Sequence, residues 1–435
     1  MGKYVYGMPV AGRKWMQNVQ RCMAKMGARS LVSDRMAFRW KLKINGKVET
    51  MSVAVHVDDF VCVCSCDEIK HEFARRLAAE WGEGRVTGGE PVDYVLGMKV
   101  ERDLEKKTVT ISQGGFVRQL LESFGVEETP GRKMSPLSGG VHLQKNEGPA
   151  VPREEFDYMR FLGSVQWLVC STRPDLAHAC GMLARYGNNP SMEHVEEARH
   201  VLKYLACTAD LGITYHGSDA VLMAGGYDRR DKLVASVDSD LGGCPDTHRS
   251  TSGIVIMLNG GAVSWRSTKQ STNSTSTLEA EMKAAALCVM EIAWLRDVLA
   301  ELGKHQGSVR VMEDNAGCVQ SAHGFKDSAK ANHFKRTQTY VENKCGQGIV
   351  WLDDVPGTEN WADIFTKSVA PIEQFEKLRD IVMGVRPDKY VSPVMRDALM
   401  KRETWGVNKL LDDMDRWQSV DGPEDWRTPE TRAGA

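Results

Sequence analysis

Residues 231–384 carry the pattern that most restricts the fold, namely three strand-like segments, a long helix, a further strand and a further helix. The strands are predicted at DKLVASVDSD, STSGIVIMLNGG and AVSWRS, and NGG is typical of a hairpin turn between the last two. In STLEAEMKAAALCVMEIAWLRDVLAELG, Ser276 and Glu279 predict a capping box, and Gly303 is typical of a helix stop. This order predicts an α/β unit in which helices pack on an open sheet.

Four carboxylates stand at the ends of these elements. Asp238 closes the first strand, and Glu281 lies in the first turns of the long helix. Asp314 closes VRVME, and Asp363 lies at the start of ENWADIFTK. Strand ends and helix starts can meet at one crevice of an open sheet, where like charges repel unless cations lie among them. The pattern therefore favours phosphodiester hydrolysis with two divalent cations, and Mg²⁺ suits a set of oxygen ligands.

Each of these acids also has an ordinary structural explanation. Asp at a strand end is common turn chemistry, and Glu in the first turns of a helix complements the helix dipole. For any single acid, this explanation is favoured. Four acids in order at such places make it much weaker, and the metal site is the preferred interpretation.

A second acidic feature is VAVHVDDFVCVC, in which two apolar runs meet at Asp58 and Asp59. The runs are typical of two strands, and Asp is a favoured turn residue. The pair also places two hard oxygen ligands at one point, which is how a Mg²⁺ site begins. The segment alone leaves both interpretations open.

Length and composition limit the number of domains, the partners and the location that can be expected for this chain. At 435 residues, the chain is long enough for about two to four domains. Its formal net charge of −2 excludes a generally basic protein, so nucleic-acid contacts must come from local patches. The 11 scattered cysteines indicate reduced thiols and an intracellular location, with cytoplasm and nucleus both open. We find no signal-peptide core and no apolar run of about 18 residues, so no membrane partner is expected.

Several motifs together resemble a known family. The segment VDSDLGGCPDTHRSTSGIVIMLNGGAVSWRSTKQSTNSTSTLEAEMKAA, followed by EDNAGCVQ and ENWADIFTKSVAPIEQFEKLR, is similar to the ribonuclease H domain of copia-type retrotransposon Pol polyproteins. Upstream, the later reverse transcriptase and the connecting segment of that family resemble YVYGMPVAGRKW, HVDD, YVLGMKVERD, ISQGGFVRQLLESFGV and MRFLGSVQWLVCSTRPDLAHACGMLARY. The resemblance extends to about residue 384.

The residue pattern and the resemblance together predict an α/β (α+β) chain of five parts. We expect an N-terminally truncated reverse transcriptase with palm hairpin and thumb at 1–130, and a linker rich in Gly, Pro, Ser and Lys at 131–150. A helical connection at 151–230 leads to a ribonuclease H-like mixed sheet flanked by helices at 231–384. The tail, 385–435, is expected to be partly helical and then disordered.

Carried over residue by residue, the family's ribonuclease H acids are Asp238, Glu281, Asp314 and Asp363. They would hold two Mg²⁺ ions, with Mn²⁺ as the alternative metal. Glu281 is chosen over Glu279 because the helix cap already explains Glu279, and Asp240 is the nearest substitute for Asp238.

The substrate implied is the RNA strand of an RNA–DNA hybrid, or more generally duplex nucleic acid. The basic groups expected to meet its phosphates are Arg266, Lys269, His333, Lys335 and Arg336. A solvated surface explains the Lys and Arg side chains equally well. NHFKRTQT stands where the family has KHIDIRYH, so the substrate side is less firmly implied than the metals.

In the family, the polymerase site needs the hairpin pair and a further Asp from a strand ahead of YVYGMPVAGRKW. His56 also replaces an aromatic residue of the family. We therefore expect Asp58 and Asp59 to be a vestigial metal pair and polymerase activity to be lost, unless missing polymerase segments or a second Pol chain join this one. The alternatives are a non-catalytic nucleic-acid-binding remnant and a part of a full RNA-directed DNA polymerase polyprotein.

Overall fold

The computed structural model describes residues 10–218, 229–324 and 333–385. Within these ranges the chain forms α-helices and three β-sheets, two of them entirely antiparallel and one mixed. The predicted tail lies outside the described residues beyond residue 385. The α/β fold class expected from the sequence is confirmed.

The N-terminal unit is an antiparallel sheet of four strands with two helices. Its elements are α1 (Ala11–Lys25), β1 (Arg29–Ser30), β2 (Ala37–Ile44), β3 (Lys47–His56), β4 (Asp59–Cys64) and α2 (Asp67–Trp81). Phe38, Trp40 and Phe73 lie in its core. The predicted hairpin is confirmed, since β3 and β4 pair up to His56 and Asp59 on either side of a two-residue turn.

The second sheet joins segments that are far apart in the sequence. It contains β5 (Tyr94–Val95), β6 (Met98–Asp103), β7 (Thr108–Ser112) and β8 (Ile213–His216), in that order. The predicted β6–β7 hairpin is present. Gly212 allows β8 to approach β7, because a Cβ atom there would lie 2.4 Å from the carbonyl oxygen of Ile111. The sheet thus joins β5, β6 and β7, which follow the N-terminal unit, to β8, which lies about 100 residues further along the chain.

Helices occupy most of the chain between β7 and β8. They are α3 (Gly114–Ser123), α4 (Tyr158–Ser171), α5 (Ala177–Leu183) and α6 (Met192–Cys207). The segment 131–150, expected as a linker, has neither helix nor strand but buries Met134, Leu137 and Leu143 in the core of these helices. It is therefore a packed part of the unit, and the predicted domain boundaries on either side of it stay a prediction.

A buried ion pair accounts for the motif TRPD. Arg173 Nη2 lies 2.8 Å from Asp175 Oδ2, and both side chains are almost fully buried. The Tyr204 hydroxyl donates to the same oxygen at 2.6 Å. The Asp175 carboxylate is thus stabilised by charge and hydrogen bonding, and burial, which alone would raise its pKa, is outweighed so that the pKa is lowered.

The third sheet is mixed and is flanked by helices, as predicted. It contains β9 (Leu233–Ser239), β10 (Thr251–Leu258), β11 (Gly261–Lys269), β12 (Val309–Glu313) and β13 (Val350–Asp354), in the order β11-β10-β9-β12-β13. The first three strands are antiparallel, whereas β12 runs parallel to β9 and β13. The accompanying helices are α7 (Thr277–Glu301), α8 (Ala316–Ala322), α9 (Lys335–Gly346) and α10 (Ile372–Val382).

Both faces of this sheet are covered. Ala235 and Val237 face a core that includes Ile292 of α7, whereas Val234 and Met312 belong to the core shared with the helical connection. Every residue of β9 is buried. This explains why β9 reads as a nearly continuous apolar run that ends in acids.

The ends of α7 follow the predicted signals with one difference. Ser276 Oγ accepts from the Glu279 backbone N–H at 3.2 Å, but Glu279 Oε2 accepts from the backbone N–H of Thr275 at 2.8 Å, one residue further back than in a capping box. At the other end, Gly303 has φ +80°, and the Lys304 N–H donates to the Leu299 carbonyl at 2.7 Å. The helix therefore stops where predicted.

Gly253 on β10 lets the turn that carries Asp363 approach the sheet. A Cβ atom at this position would lie 2.6 Å from Thr366 Cγ2 and 2.9 Å from Phe365 Cβ. We expect Gly253→Ala to lower the free energy of unfolding by about 1–3 kcal/mol through overpacking, measured by urea denaturation. The matched control is Gly163→Ala on the exposed face of α4, where nothing lies within 4 Å and a gain of up to about 1 kcal/mol is expected. Equal stability of the two variants would contradict this packing.

Candidate metal centre

The four predicted acids come from four different elements. Asp238 is the penultimate residue of β9, and Asp314 immediately follows β12. Because β9 and β12 are parallel neighbours, their carboxyl ends lie at the same edge of the sheet. Glu281 lies near the start of α7, and Asp363 lies in the 3-10 turn Trp361–Phe365.

These side chains meet in two overlapping groups. One oxygen each of Asp238, Asp314 and Asp363 lie within 4.8 Å of one another, and the same holds for Glu281, Glu313 and Asp314. Asp314 belongs to both groups. The structure therefore brings the four predicted acids together and adds Glu313, which the sequence analysis did not single out.

Asn360 fixes the turn that carries Asp363. Its side chain is fully buried, its Nδ2 donates to the Val237 carbonyl at 2.9 Å, and its Oδ1 accepts from the Ala362 N–H at 3.0 Å. The Ser236 hydroxyl donates to the same Oδ1. Asn360 thereby ties the turn to β9 beside Asp238. The sequence analysis missed this residue, although Asn directly before a helical segment is a recognisable cap signal.

Lys367 supplies a positive charge to the first group. Its Nζ lies 2.7 Å from Asp363 Oδ1 and 3.7 Å from Asp238 Oδ2, while 48% of its side chain is exposed. The neighbouring Thr366 hydroxyl donates to Asp238 Oδ2. Lys367 was also missed, although it follows Asp363 at the i,i+4 spacing typical of ion pairs.

The electrostatics reflect an excess of negative charge. Burial, followed by the charges of Asp238 and Asp314, raises the pKa of Glu281 to about 9. Burial and Asp238 raise the pKa of Asp363 to about 7. Burial and Glu281 raise the pKa of Glu313 well above its ordinary value. Without added cations, these carboxyl groups therefore tend to hold protons near neutral pH.

Two competing acids have other partners. Asp240 accepts from the Thr251 N–H and lies outside both groups, and burial raises its pKa to about 6. The Glu279 carboxylate is 2.9 Å from Lys283 Nζ and 2.9 Å from His333 Nε2. It also accepts from the Thr275 N–H just before the start of α7. The geometry thus favours Asp238 over Asp240 and Glu281 over Glu279 as members of the acidic cluster.

The cluster fits hard divalent cations. Its members offer carboxylate oxygens, which Mg²⁺ and Mn²⁺ prefer. Glu281 Oε2 and Glu313 Oε2 are buried and have no hydrogen-bond partner. A bound cation would satisfy such oxygens, and the identity of the metal stays a prediction.

The residues predicted to bind nucleic acid are placed unevenly around this cluster. Arg266 pairs with Glu291 at 2.9 Å, and Glu291 lies about 15 Å along α7 from Glu281 at 1.5 Å per residue. Lys269 ends β11 opposite Thr251, near the cluster end of the sheet.

His333 reaches the start of α7, where its Nε2 contacts Glu279 and, at 3.1 Å, Thr275 Oγ1. Lys335 and Arg336 begin α9 just behind it. His333 thus lies beside the start of the helix that carries Glu281, and the nucleic-acid contacts of all three residues stay predictions.

The acidic hairpin pair lies elsewhere. Asp58 and Asp59 are exposed at the turn between β3 and β4, where Val57 has φ +55°. Within the described part of the chain, neither joins a group of three or more candidate metal ligands. The structure therefore shows a solvated turn at this position.

Comparison with known proteins agrees with the motifs. The Pol polyprotein of transposon TNT 1-94 from Nicotiana tabacum is 27% identical over 387 residues, which cover 88% of this chain and 28% of the relative. That of transposon RE2 from Arabidopsis thaliana is 25% identical over 371 residues, 85% of this chain and 24% of the relative. Over most of its length, the chain is thus similar to Pol polyproteins of copia-type retrotransposons. It spans about a quarter of the length of these Pol relatives.

Other comparisons concern shorter parts of the chain. The secreted RxLR effector protein 161 of Plasmopara viticola is 36% identical over 138 residues, which cover 32% of this chain and 90% of that protein. No protein-family model matches the chain. The crystal structure of LC11-RNase H1 in complex with RNA/DNA hybrid is 15% identical, the match covers 31% of this chain and 93% of that chain, and the TM-score is 0.26. Among the described residues, none of the helices has the length and apolar character needed to span a membrane.

Replacing Lys367 tests the charge balance of the cluster. Lys367→Met removes the ammonium beside Asp363 and Asp238, so we expect the free energy of unfolding in EDTA to fall by about 1 kcal/mol, because the half-exposed pair is screened. Mg²⁺ should reduce the difference. Thermal unfolding with and without Mg²⁺ measures this, with Lys203→Met on the exposed face of α6 as control. A loss that is independent of Mg²⁺ would contradict the role.

The raised pKa values predict a pH dependence. Because Glu281 has an ordinary value of 4.5 and a folded value of about 9, the folded state holds more protons than the unfolded state in between. Stability in EDTA should therefore fall as pH rises from about 5 to 9. Glu281→Gln should make this slope shallower, measured by urea denaturation at several pH values. An identical slope in the variant would show that Glu281 does not titrate in this way.

Proposed function

We propose that this Pol fragment is a ribonuclease of the ribonuclease H type, which hydrolyses the RNA strand of RNA–DNA hybrids with two divalent cations, Mg²⁺ or Mn²⁺. The supporting observation is the approach of oxygens from Asp238, Asp314 and Asp363 to within 4.8 Å of one another at the carboxyl edge of the mixed sheet. The similarity to Pol polyproteins of transposons supports a role in nucleic-acid processing.

Each cation would be held by a different set of carboxylates. Asp238 and Asp363 would hold one cation, and Glu281 would hold the other, with Asp314 in reach of both. Two cations held together in this way activate a water for attack on the phosphodiester and stabilise the leaving oxygen. The protein's own part is to keep the oxygens in place before substrate arrives.

Several neighbours carry out this positioning. Asn360 holds the Asp363 turn against β9, and Thr366 orients Asp238 through its hydroxyl. Burial of Asp238 and Glu281, each only 3% exposed, keeps bulk water away from most of the cluster. Charges in such a setting act more strongly than at the surface.

The substrate side would use backbone contacts. Lys269, His333, Lys335 and Arg336 lie on elements near the cluster and would meet phosphates and 2′-hydroxyl groups, without reading base sequence. Polymerase activity is proposed to be absent from this chain, because Asp58 and Asp59 stand at an exposed turn outside any larger acidic group of the described residues.

One observation favours a second function. The Lys367 ammonium already contacts Asp363 and Asp238, where a cation would bind. A chain in which this contact persists would bind duplex nucleic acid without hydrolysing it, and its affinity would fall with salt through counterion release.

Cleavage of a labelled RNA–DNA hybrid by the full chain tests the proposal. We expect Mg²⁺-dependent cuts in the RNA strand, and Asp314→Asn should lower kcat by on the order of 100-fold or more, since a change in a metal's outer shell already costs 10–100-fold. Asp58→Asn should retain activity. Salt-dependent binding with no cleavage would support the second function, and cleavage that survives Asp314→Asn would contradict the assigned site.

A further inference from the structure

Glu313 has an unsatisfied oxygen in the interior. Its side chain is 0% exposed at the end of β12. Its Oε1 accepts from the Asn315 N–H at 3.0 Å, whereas its Oε2 has no hydrogen-bond partner. A buried carboxylate oxygen without a partner is costly, so something should satisfy it in the working protein.

Glu281, on α7, also has a buried carboxylate oxygen without a hydrogen-bond partner. It is 3% exposed, and its Oε2 is also buried without a partner. One oxygen each of Glu281, Glu313 and Asp314 lie within 4.8 Å of one another. Two unsatisfied acids from β12 and α7 thus face a third acid that already belongs to the proposed metal site.

The chain geometry explains how neighbouring residues contribute together. Successive side chains on a strand point to opposite faces. Glu313 is the last residue of β12, however, and Asp314 lies in the bend that follows. The alternation therefore ends between them, and both carboxylates can approach Glu281.

We infer that Glu313 is a ligand of an inner divalent-cation subsite, formed with Glu281 and Asp314, so that the metal centre has five carboxylates instead of four. The inference rests on the proposed two-metal function and deepens it. The three ligands offer only oxygens, which suits Mg²⁺ or Mn²⁺. One cation between the side chains would satisfy both unpartnered oxygens at once.

The two subsites differ in their positive charge. Lys367 forms ion pairs with Asp238 and Asp363 of the outer group. Among the described residues, Glu281 and Glu313 form no ion pair within 4.0 Å. In this part of the chain, no Lys or Arg side chain therefore pairs with the inner Glu side chains, and a bound divalent cation would occupy that place, so the affinity for it should respond sharply to the loss of Glu313.

Mn²⁺ binding to the full chain, followed by the electron paramagnetic resonance of free Mn²⁺, tests the inference without any need for activity. We expect the wild type to bind two ions. Glu313→Gln should weaken one of them at least 10-fold, while the other stays. The matched control is Asp240→Asn, which neutralises a nearby half-buried acid outside both groups and should retain both ions.

The outcomes separate this inference from the proposed function. If wild type and Glu313→Gln bind two ions equally well, the role of Glu313 alone is overturned. An equal loss of affinity in Asp240→Asn would also overturn it, because it would indicate a general charge effect. A wild type that binds no Mn²⁺ would overturn the two-metal function itself. If Glu313→Gln fails to fold, Glu313→Asp withdraws the oxygen but keeps the charge, and unchanged affinity in that variant would equally overturn the inference.

Discussion

Acidic side chains crowd together at one edge of the mixed sheet, where each further negative charge is unfavourable. Asp238, Asp314 and Glu281 converge there, and burial together with their neighbours' charges raises the pKa of Glu281 to about 9. Such an arrangement is unfavourable by itself and persists only because the surrounding fold imposes it. Its function follows from the same fact, since a divalent cation relieves the repulsion that the fold maintains.

The scaffold that imposes this arrangement extends over most of the described chain. β9 is buried between α7 on one face and the helical connection on the other. At its far end, α7 also contacts the N-terminal unit, where Glu301 Oε2 accepts from the Val32 N–H at 2.6 Å and Trp294 Nε1 donates to the Ser33 carbonyl at 3.2 Å. The helix that presents Glu281 is therefore anchored at both ends.

Local signals predicted much of this architecture, because capping and turn chemistry act over a few residues. The start and stop of α7 and the β3–β4 hairpin followed from such signals, whereas the four acids of the cluster followed from their places at the ends of elements and from the family resemblance. Contacts between distant segments did not, which is why the pairing of β8 with β7 and the packing of 131–150 were missed. The roles of Asn360, Lys367 and Glu313 at the acidic cluster depend on the contact of β9 with β12 and with the Asp363 turn. Short motifs do not predict these contacts, so they did not identify the three residues as parts of the site.

Anomalous diffraction from crystals of the full chain soaked in Mn²⁺ would show whether these carboxylates hold divalent cations. We expect anomalous peaks among Asp238, Asp314 and Asp363 and between Asp314 and Glu281, with Lys367 displaced from at least one of its acids. Strong peaks elsewhere and none among these carboxylates, with Lys367 still paired to Asp363, would contradict the two-cation site.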